Sequence, residues 1–373
     1  MQAYLTELYY IFLEPVLLYL GLTTQGSGDP TYGRDRLPYS AQERSLIYEN
    51  PNVRSTRRRV YLCGTDPVLD VELQGVHALP STYKNKRLTS FVNYYIWEMP
   101  SVAQLNADVY LVHGINDYSG KLTVQGTAFM RAGMRAIAID LPSFGRSSGL
   151  PAYVPSMRVL ANALHAVMAH VHFHDTLAEL PALARRKRFG QGSSMGGFTV
   201  LYHCALYPPA APAKLGGLAN GARLSLDGVA VSAPMLQIAS ASRPSYTLEW
   251  IARRICMFAG RLPFAKAIRG NVSDDPKVDY YASIDPQNYR GLVRIATGLA
   301  IVAGIDDLAR ITSRIQCPVS IDHGENDRAT SPHGSIAFFE KLHAEPKRLR
   351  LWPGVEHGAF IETNPSGDQK SSC

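Results

Sequence analysis

The sequence predicts an α/β fold, a mostly parallel central sheet with helices on both faces and an inserted helical cap. Three observations predict it. From residue 109 onward, apolar runs of strand length alternate with stretches of helical periodicity. Gly192-Ser193-Ser194-Met195-Gly196-Gly197 lies between one such strand and one such helix, and a long stretch without strand character, 233–314, separates two of the later apolar runs. At 373 residues, 46% hydrophobic and 18% charged, the chain can bury a full core, which excludes a disordered or coiled-coil protein.

Residues 4–22 are rich in Leu, Tyr and Ile but carry Glu7, Glu14 and Pro15 and no basic leader, so neither a signal peptide nor a spanning helix is expected. An interfacial helix making peripheral membrane contact through residues 4–22 and plain packing on the domain both stay open. Residues 23–59 are polar, with Gly, Pro and Arg and little periodicity, and read as a linker or surface arm. The catalytic domain is therefore expected over 60–363, after an N-terminal part at 1–59 and before a polar tail at 364–373.

Strands are expected at 60–73 and 89–99. A strand at 109–112, a helix near 122–131 stopped by Gly133 and a strand at 136–140 then form a βαβ unit. Ser156 is a plausible N-cap for a helix whose apolar face carries Leu160, Leu164, Val167 and Val171. A short strand at 188–191 runs into the Gly192 turn, and a helix continues through Leu201, Cys204 and Leu206. Further strands are expected at 228–232, 319–322 and 348–352. Within 233–314, helical segments near 248–258 and 289–303 flank a polar stretch at 271–277, with no clear strand. Sitting between two core strands, this segment is placed as a cap over the C-terminal sheet edge, where ligands bind in such folds.

The net charge of +7 is scattered except for Arg54 and Arg57, Arg58 and Arg59, a run too short for a nucleic-acid footprint. It reads either as a mild attraction to anionic membrane surfaces or as a solvated strand edge. Five cysteines, odd in number and widely spaced, indicate neither a zinc site nor a disulfide framework and favour a reducing compartment, against which stands only the short sequon Asn271-Val272-Ser273. His165, His170, His172 and His174 cluster near a helix C-terminus without a carboxylate at ligand spacing, so no metal is expected. No phosphate loop or dinucleotide fingerprint is present, and no cofactor is expected. The location is read as cytoplasmic or peripheral membrane.

Gly192-x-Ser194-x-Gly196 has the spacing of a nucleophile elbow, where small neighbours let the backbone turn sharply from strand to helix beneath an exposed serine. A serine hydroxyl is a poor nucleophile at neutral pH, so it needs a base and a third group that fixes the base's tautomer. The order serine, acid, histidine is met by Ser194, Asp327 in Gly324-Glu325-Asn326-Asp327, and His357 after the last strand. Asp322 and Glu325 compete as the acid, but the first should lie in the strand and the second early in the loop. His323 and His333 compete as the base, and neither follows the final strand. Two backbone N–H groups must meet the oxyanion: Met195, next after the nucleophile, and Ile115 in His113-Gly114-Ile115.

These residues resemble those of the monoacylglycerol lipases and related lysophospholipases, grouped with the serine aminopeptidase-like α/β hydrolases. The resemblance spans about residues 109–360. It rests on His113-Gly114 with Tyr118-Ser119-Gly120, on DLPSFGRS at 140–147, on Ser194-Met195-Gly196-Gly197, on Asp327 and His357, and on 279–291 with Tyr280, Asp285-Pro286 and Arg290. It implies the α/β-hydrolase fold, a lidded lipophilic pocket and a small lipophilic ester substrate, a monoacylglycerol or lysophospholipid. Ser194 would form an acyl-enzyme, His357 would protonate the departing alcohol and then activate water, and Ile115 and Met195 would hold the oxyanion. An aminopeptidase or acyltransferase would use the same triad; the former needs acids for a substrate amine, for which Asp274, Asp275 and Glu356 are available. A non-catalytic lipid-binding protein of this fold has no need of Ser194, Asp327 and His357 together.

Overall fold

The structure, a computed structural model, describes residues 2–62, 90–177, 186–209, 224–237, 245–265 and 273–357. Its centre is an eight-stranded sheet built from β1 (Arg54–Tyr61), β2 (Phe91–Glu98), β3 (Ala107–Val112), β4 (Arg135–Asp140), β5 (Lys187–Ser193), β6 (Gly228–Ser232), β9 (Val319–Gly324) and β10 (Lys347–Trp352), in the order β1-β2-β4-β3-β5-β6-β9-β10. β2 runs antiparallel to β1 and β4; every other pairing is parallel. The remaining strands, β7 (Pro263–Ala265) and β8 (Val293–Arg294), form a separate antiparallel ribbon.

Strand alternation divides the apolar side chains between two cores. Val92, Tyr94, Ile96, Tyr110, Val112, Ile137 and Ile139 face one side; Tyr95, Trp97, Val109, Leu111, Ala136 and Ala138 face the other. Strands buried on both faces read as continuous apolar runs, which is why the chain announces them so clearly. Helices α1 (Gln2–Leu8), α2 (Glu14–Tyr19) and α3 (Ala41–Glu43) precede β1. α4 (Thr123–Arg131) places Met130 in the second core. The first core holds Leu160, Leu164, Val167 and Val171 of α5 (Met157–Leu177) and Phe198 and Leu201 of α6 (Met195–Leu206). Next come α7 (Tyr246–Ala259), α8 (Pro276–Ile284), α9 (Ile295–Ile311) and α10 (Pro332–Lys341).

Three readings of the sequence change. The β7–β8 ribbon lies within 233–314, where no strand was expected; strands of three and two residues carry no detectable period. The first strand begins at Arg54 rather than residue 60, so the arginine run belongs to it, and the part of the expected strand beyond Leu62 lies outside the described residues. β1 is a sheet edge, and its charges discourage pairing with another chain; Arg57 and Arg59 both meet Asp35. Finally, residues 23–53 are not a loose linker. Arg34 is buried, its Nε donating to the Gly145 carbonyl at 2.7 Å and its Nη2 to Ser147 at 2.6 Å and Gly149 at 2.9 Å. Polar composition hid this packing because the anchors are charged side chains gripping backbone carbonyls.

The N-terminal helical segment is held in the same way. Glu14 is fully buried and accepts from the Gly26 amide (2.7 Å), the Tyr32 hydroxyl (2.7 Å) and Arg261 Nη1 (2.8 Å), a full set of partners for a buried carboxylate. Glu7 lies 3.7 Å from Arg294. No helix among the described residues is long and apolar enough to cross a membrane. The polar tail at 364–373 and most of the glycosylation sequon lie outside the described residues.

Candidate active site

Ser194 sits where β5 becomes α6, with φ 55° and ψ −121°. An L-residue adopts a positive φ only under constraint, at a cost on the order of 1–2 kcal/mol. The constraint is steric: a Cβ on Gly192 would lie 2.5 Å from the Gly196 carbonyl carbon, and one on Gly196 would lie 2.1 Å from the Val112 carbonyl oxygen. Glycine at both positions lets the elbow fold on itself and lets α6 abut the end of β3. The Ser194 amide donates to the Ser232 carbonyl (3.0 Å) and its carbonyl accepts from the Met235 amide (3.0 Å), fixing the turn against β6. Met195, fully buried, is the first residue of α6, where backbone N–H groups have no intrahelical acceptor.

The second amide expected from the sequence, that of Ile115, is set by His113. Its Nε2 accepts the Leu141 amide (3.0 Å), so Nδ1 carries the proton and donates to the Gly114 carbonyl (2.7 Å). Burial lowers the His113 pKa and keeps the ring neutral, as this arrangement requires. In a trans peptide the carbonyl and the following N–H point in opposite directions, so gripping the Gly114 oxygen turns the Ile115 amide the other way. Gly114 also abuts the nucleophile: a Cβ there would lie 3.6 Å from Ser194 Cβ. The sequence marked this His-Gly pair as a turn; the ring's grip on its neighbour's carbonyl was not legible in it.

Asp327 and His357 lie in the loops after β9 and β10 and meet with His357 Nδ1 2.7 Å from Asp327 Oδ2. Both are buried. Asp327 Oδ1 accepts the amides of Ala329 and Thr330, each at 2.8 Å, and Oδ2 also accepts the Thr330 hydroxyl at 2.9 Å. Burial alone would raise this carboxyl; the hydrogen bonds from His323, His357 and Thr330 overcome it and hold the group far below the usual carboxylate range. The competing residues take other positions. Asp322 accepts from Trp352 Nε1 (3.0 Å), Glu325 and His333 are exposed, and His323 sits beneath the acid with Nε2 3.2 Å from Asp327 Oδ2 and Nδ1 2.7 Å from Ser335 Oγ.

The acids considered for a substrate amine are also occupied. Arg328 lies 2.7 Å from Asp274 and 3.0 Å from Glu356, while Asp275 accepts from the Lys277 amide as the cap of α8. Of the histidine cluster, His170 bonds Tyr94 through Nδ1 (2.7 Å) and His174 through Nε2 (3.2 Å). Among the described residues no group of three His, Cys, Asp or Glu is placed to hold a metal ion.

One acid near the elbow escaped the sequence reading. Asp117 is half-buried, and its Oδ2 would lie 3.4 Å from a Cβ on Gly114, which itself abuts Ser194. Burial raises its pKa to about 6, against the opposing pull of Lys121. Around it a polar network joins the loop after β3 to residues 285–289 and to Glu43. Lys121 pairs with Asp285 (2.7 Å), and the Tyr118 hydroxyl meets Asp285 (2.9 Å) and Glu43 (3.2 Å). Arg146 donates to Gln287 (2.6 Å), and the Tyr289 amide donates to the Asn116 carbonyl (3.0 Å). The 285–289 segment thus braces the loop after β3 directly. Asp140, fully buried, braces it from below by accepting the amides of Ser119 and Arg146, each at 2.9 Å.

A mostly parallel sheet with one antiparallel strand, a serine on the strained turn after β5, and an Asp–His pair behind the last two strands define an α/β hydrolase. The chain belongs to the family described as serine aminopeptidase, S33, which it matches over residues 103–364. It is 26% identical over 296 residues to a caffeoylshikimate esterase of Arabidopsis thaliana, covering 78% of this chain and 82% of the relative. It is 24% identical over 255 residues to a monoacylglycerol lipase of Mycolicibacterium smegmatis, covering 68% and 82%. Among solved structures, the monoacylglycerol lipase of Paleococcus ferrophilus superposes with a TM-score of 0.57 at 22% identity, covering 69% of this chain and 89% of that one. A soluble variant of the Saccharomyces cerevisiae monoglyceride lipase gives 0.58 at 17%, covering 74% and 87%. The family and these relatives place the chain among the ester hydrolases.

Proposed function

We propose that this protein cleaves monoacylglycerols or similar single-chain esters through an acyl-enzyme on Ser194. The observation that carries the reading is the strained Ser194 turn, served in chain order by the Asp327–His357 hydrogen bond of 2.7 Å. His357, held by Asp327 with its proton on Nδ1, takes the Ser194 proton on Nε2 as the oxygen attacks the ester carbon. The amides of Ile115 and Met195 receive the oxyanion. The imidazolium then protonates the departing alcohol, and on the second half-reaction the same ring activates water. Engagement of Asp274, Asp275 and Glu356 with their own partners weighs against an aminopeptidase.

Asp117, with Lys121 and Asp285 behind it, gives the site a polar rim suited to the hydroxyls of a glycerol leaving group. On a panel of p-nitrophenyl esters, 2-monoacylglycerols and lysophosphatidylcholine, with peptide anilides as controls, monoacylglycerol should be turned over and the anilides should not. Asp117→Asn should raise KM for monoacylglycerol on the order of tenfold and leave the p-nitrophenyl esters within twofold, because only the former offers hydroxyls to the carboxylate. The wild-type preference for monoacylglycerol should grow as pH rises through about 6, where Asp117 ionises, and this rise should vanish in the variant. Anilide turnover without ester turnover would replace the lipase reading with a peptidase.

We further propose that the N-terminal segment rests on a lipid surface as it presents substrate. Phe12, Leu13, Val16, Tyr19, Leu20 and Leu22 are exposed, Tyr19 by 91%, while both acids of the segment are turned to arginines. Beside its Arg261 anchor ends α7, whose exposed Tyr246, Trp250, Ile251 and Ile255 are accompanied by Arg253 and by Arg254 over the Trp250 ring. Apolar side chains with aromatics and arginines suit an anionic interface. Sedimentation with vesicles of phosphatidylcholine and phosphatidylserine should pull down wild type, and Leu13→Asp with Val16→Asp should cut binding on the order of tenfold. Equal sedimentation of the two proteins would dismiss the contact.

A further inference from the structure

Two of the five cysteines, far apart in sequence, meet inside the fold. Cys204 lies on α6, Cys317 just before β9, and their sulfurs are 3.6 Å apart. Both are nearly enclosed, 4% and 6% exposed, and line a small hollow together with Tyr207, Leu226 and Gln316. Neither touches the residues assigned above to catalysis or substrate. Tertiary packing alone creates the pair: 113 positions separate the two residues, which hid it from any reading of cysteine spacing.

We propose that Cys204 and Cys317 are a modification site, a dithiol that closes to a disulfide under hydrogen peroxide and reopens with a dithiol reductant. A disulfide requires sulfurs about 2.05 Å apart, so from 3.6 Å closure asks the two sulfurs to approach by about 1.5 Å. A hydrogen bond accepted from Cys204 lowers the Cys317 pKa, and Cys317 is taken as the attacking thiolate. Its sulfur attacks one peroxide oxygen; the O–O bond breaks, and the departing hydroxide takes up the proton that the Cys317 thiol released and leaves as water, giving a sulfenic acid. The Cys204 sulfur then attacks that sulfur, the S–O bond breaks, and the Cys204 proton departs with the hydroxyl as a second water. Two thiols are oxidised by two electrons and the peroxide is reduced.

The bond would join the C-terminal part of the nucleophile helix to the beginning of the strand that leads to Asp327. Ser194 stands at the opposite end of α6 and Asp327 beyond the opposite end of β9, so the bond ties the scaffold without pressing on the site. By closing a long loop it restricts the unfolded chain, and thermal stability should rise.

The test uses the full chain with Cys63, Cys256 and Cys373 changed to Ser. After peroxide, quenching and alkylation in denaturant, the intact mass should show a loss of about 2 Da and no alkylation. A non-reducing peptide map should join Cys204 to Cys317. The Tm should rise on the order of 5 °C and return with dithiothreitol. Cys204→Ser in the same background, shown folded by circular dichroism, should give no such rise. Full alkylation of both thiols after peroxide, or a gain of about 32 Da from a sulfinic acid without a link, would overturn the proposal.

Discussion

Ser194→Ala should lower kcat/KM on a p-nitrophenyl ester on the order of a thousandfold or more while leaving Tm within about 2 °C. The asymmetry follows from where the residue sits. Its backbone conformation is imposed by contacts of Gly192 and Gly196 and by hydrogen bonds to Ser232 and Met235, none of which involves the hydroxyl. Alanine can occupy the same φ of 55° at similar cost, so the scaffold survives. What disappears is the hydroxyl that the proposed mechanism uses to form the acyl bond. Residual rate would come from the oxyanion amides and water. A folded variant that keeps more than a tenth of the wild-type rate would remove Ser194 from the mechanism.

Asp327→Asn should cost about a thousandfold to ten-thousandfold in kcat and also lower Tm. Asp327 is surrounded only by donors: two amides on Oδ1, and on Oδ2 the Thr330 hydroxyl and His357 Nδ1, with His323 Nε2 nearby. An asparagine must turn its NH2 toward one of these sets, and donor then faces donor. If the NH2 faces His357, the ring relieves the conflict by moving its proton to Nε2, which can then no longer accept from Ser194. The pH dependence has a defined sign. Because the folded state holds the Asp327 carboxyl below its unfolded value, the pair contributes stability that is fully present above about pH 4 and drains away as pH falls further. The wild-type advantage in Tm over Asp327→Asn should therefore be full at pH 7 and shrink toward pH 2; a gap that is constant with pH would contradict the account.

Much of the molecule is legible in the chain because its signals are local. Strands buried on both faces must be continuously apolar, a helix on a sheet must be apolar at its own period, and the elbow needs glycine at two fixed offsets from the serine. Hence the order of core strands, the Ser194 turn and the positions of Asp327 and His357 after their strands are read directly from residues. Asp327 also stands out from Asp322 and Glu325 by loop position alone.

The remainder depends on partners far away in sequence. Arg34 looks like a charge of a surface arm, and Glu14 like an acid that interrupts an apolar segment, until the fold brings carbonyls and arginines around them, and no local pattern encodes a partner more than a hundred residues distant. Asp117 comes beside the elbow only because the loop after β3 folds against Ser194, and its raised pKa comes from that burial. The grip of His113 on the Gly114 carbonyl, the bracing of the loop by 285–289 and the meeting of Cys204 with Cys317 are likewise products of packing. The sequence by itself determined the hydrolase scaffold and where Ser194, Asp327 and His357 fall on it, because periodicity and turn chemistry act between near neighbours. Only the tertiary structure decided which charges are buried, which acids lie beside the Ser194 turn and which thiols touch, because burial and electrostatic pairing are properties of assembled surfaces.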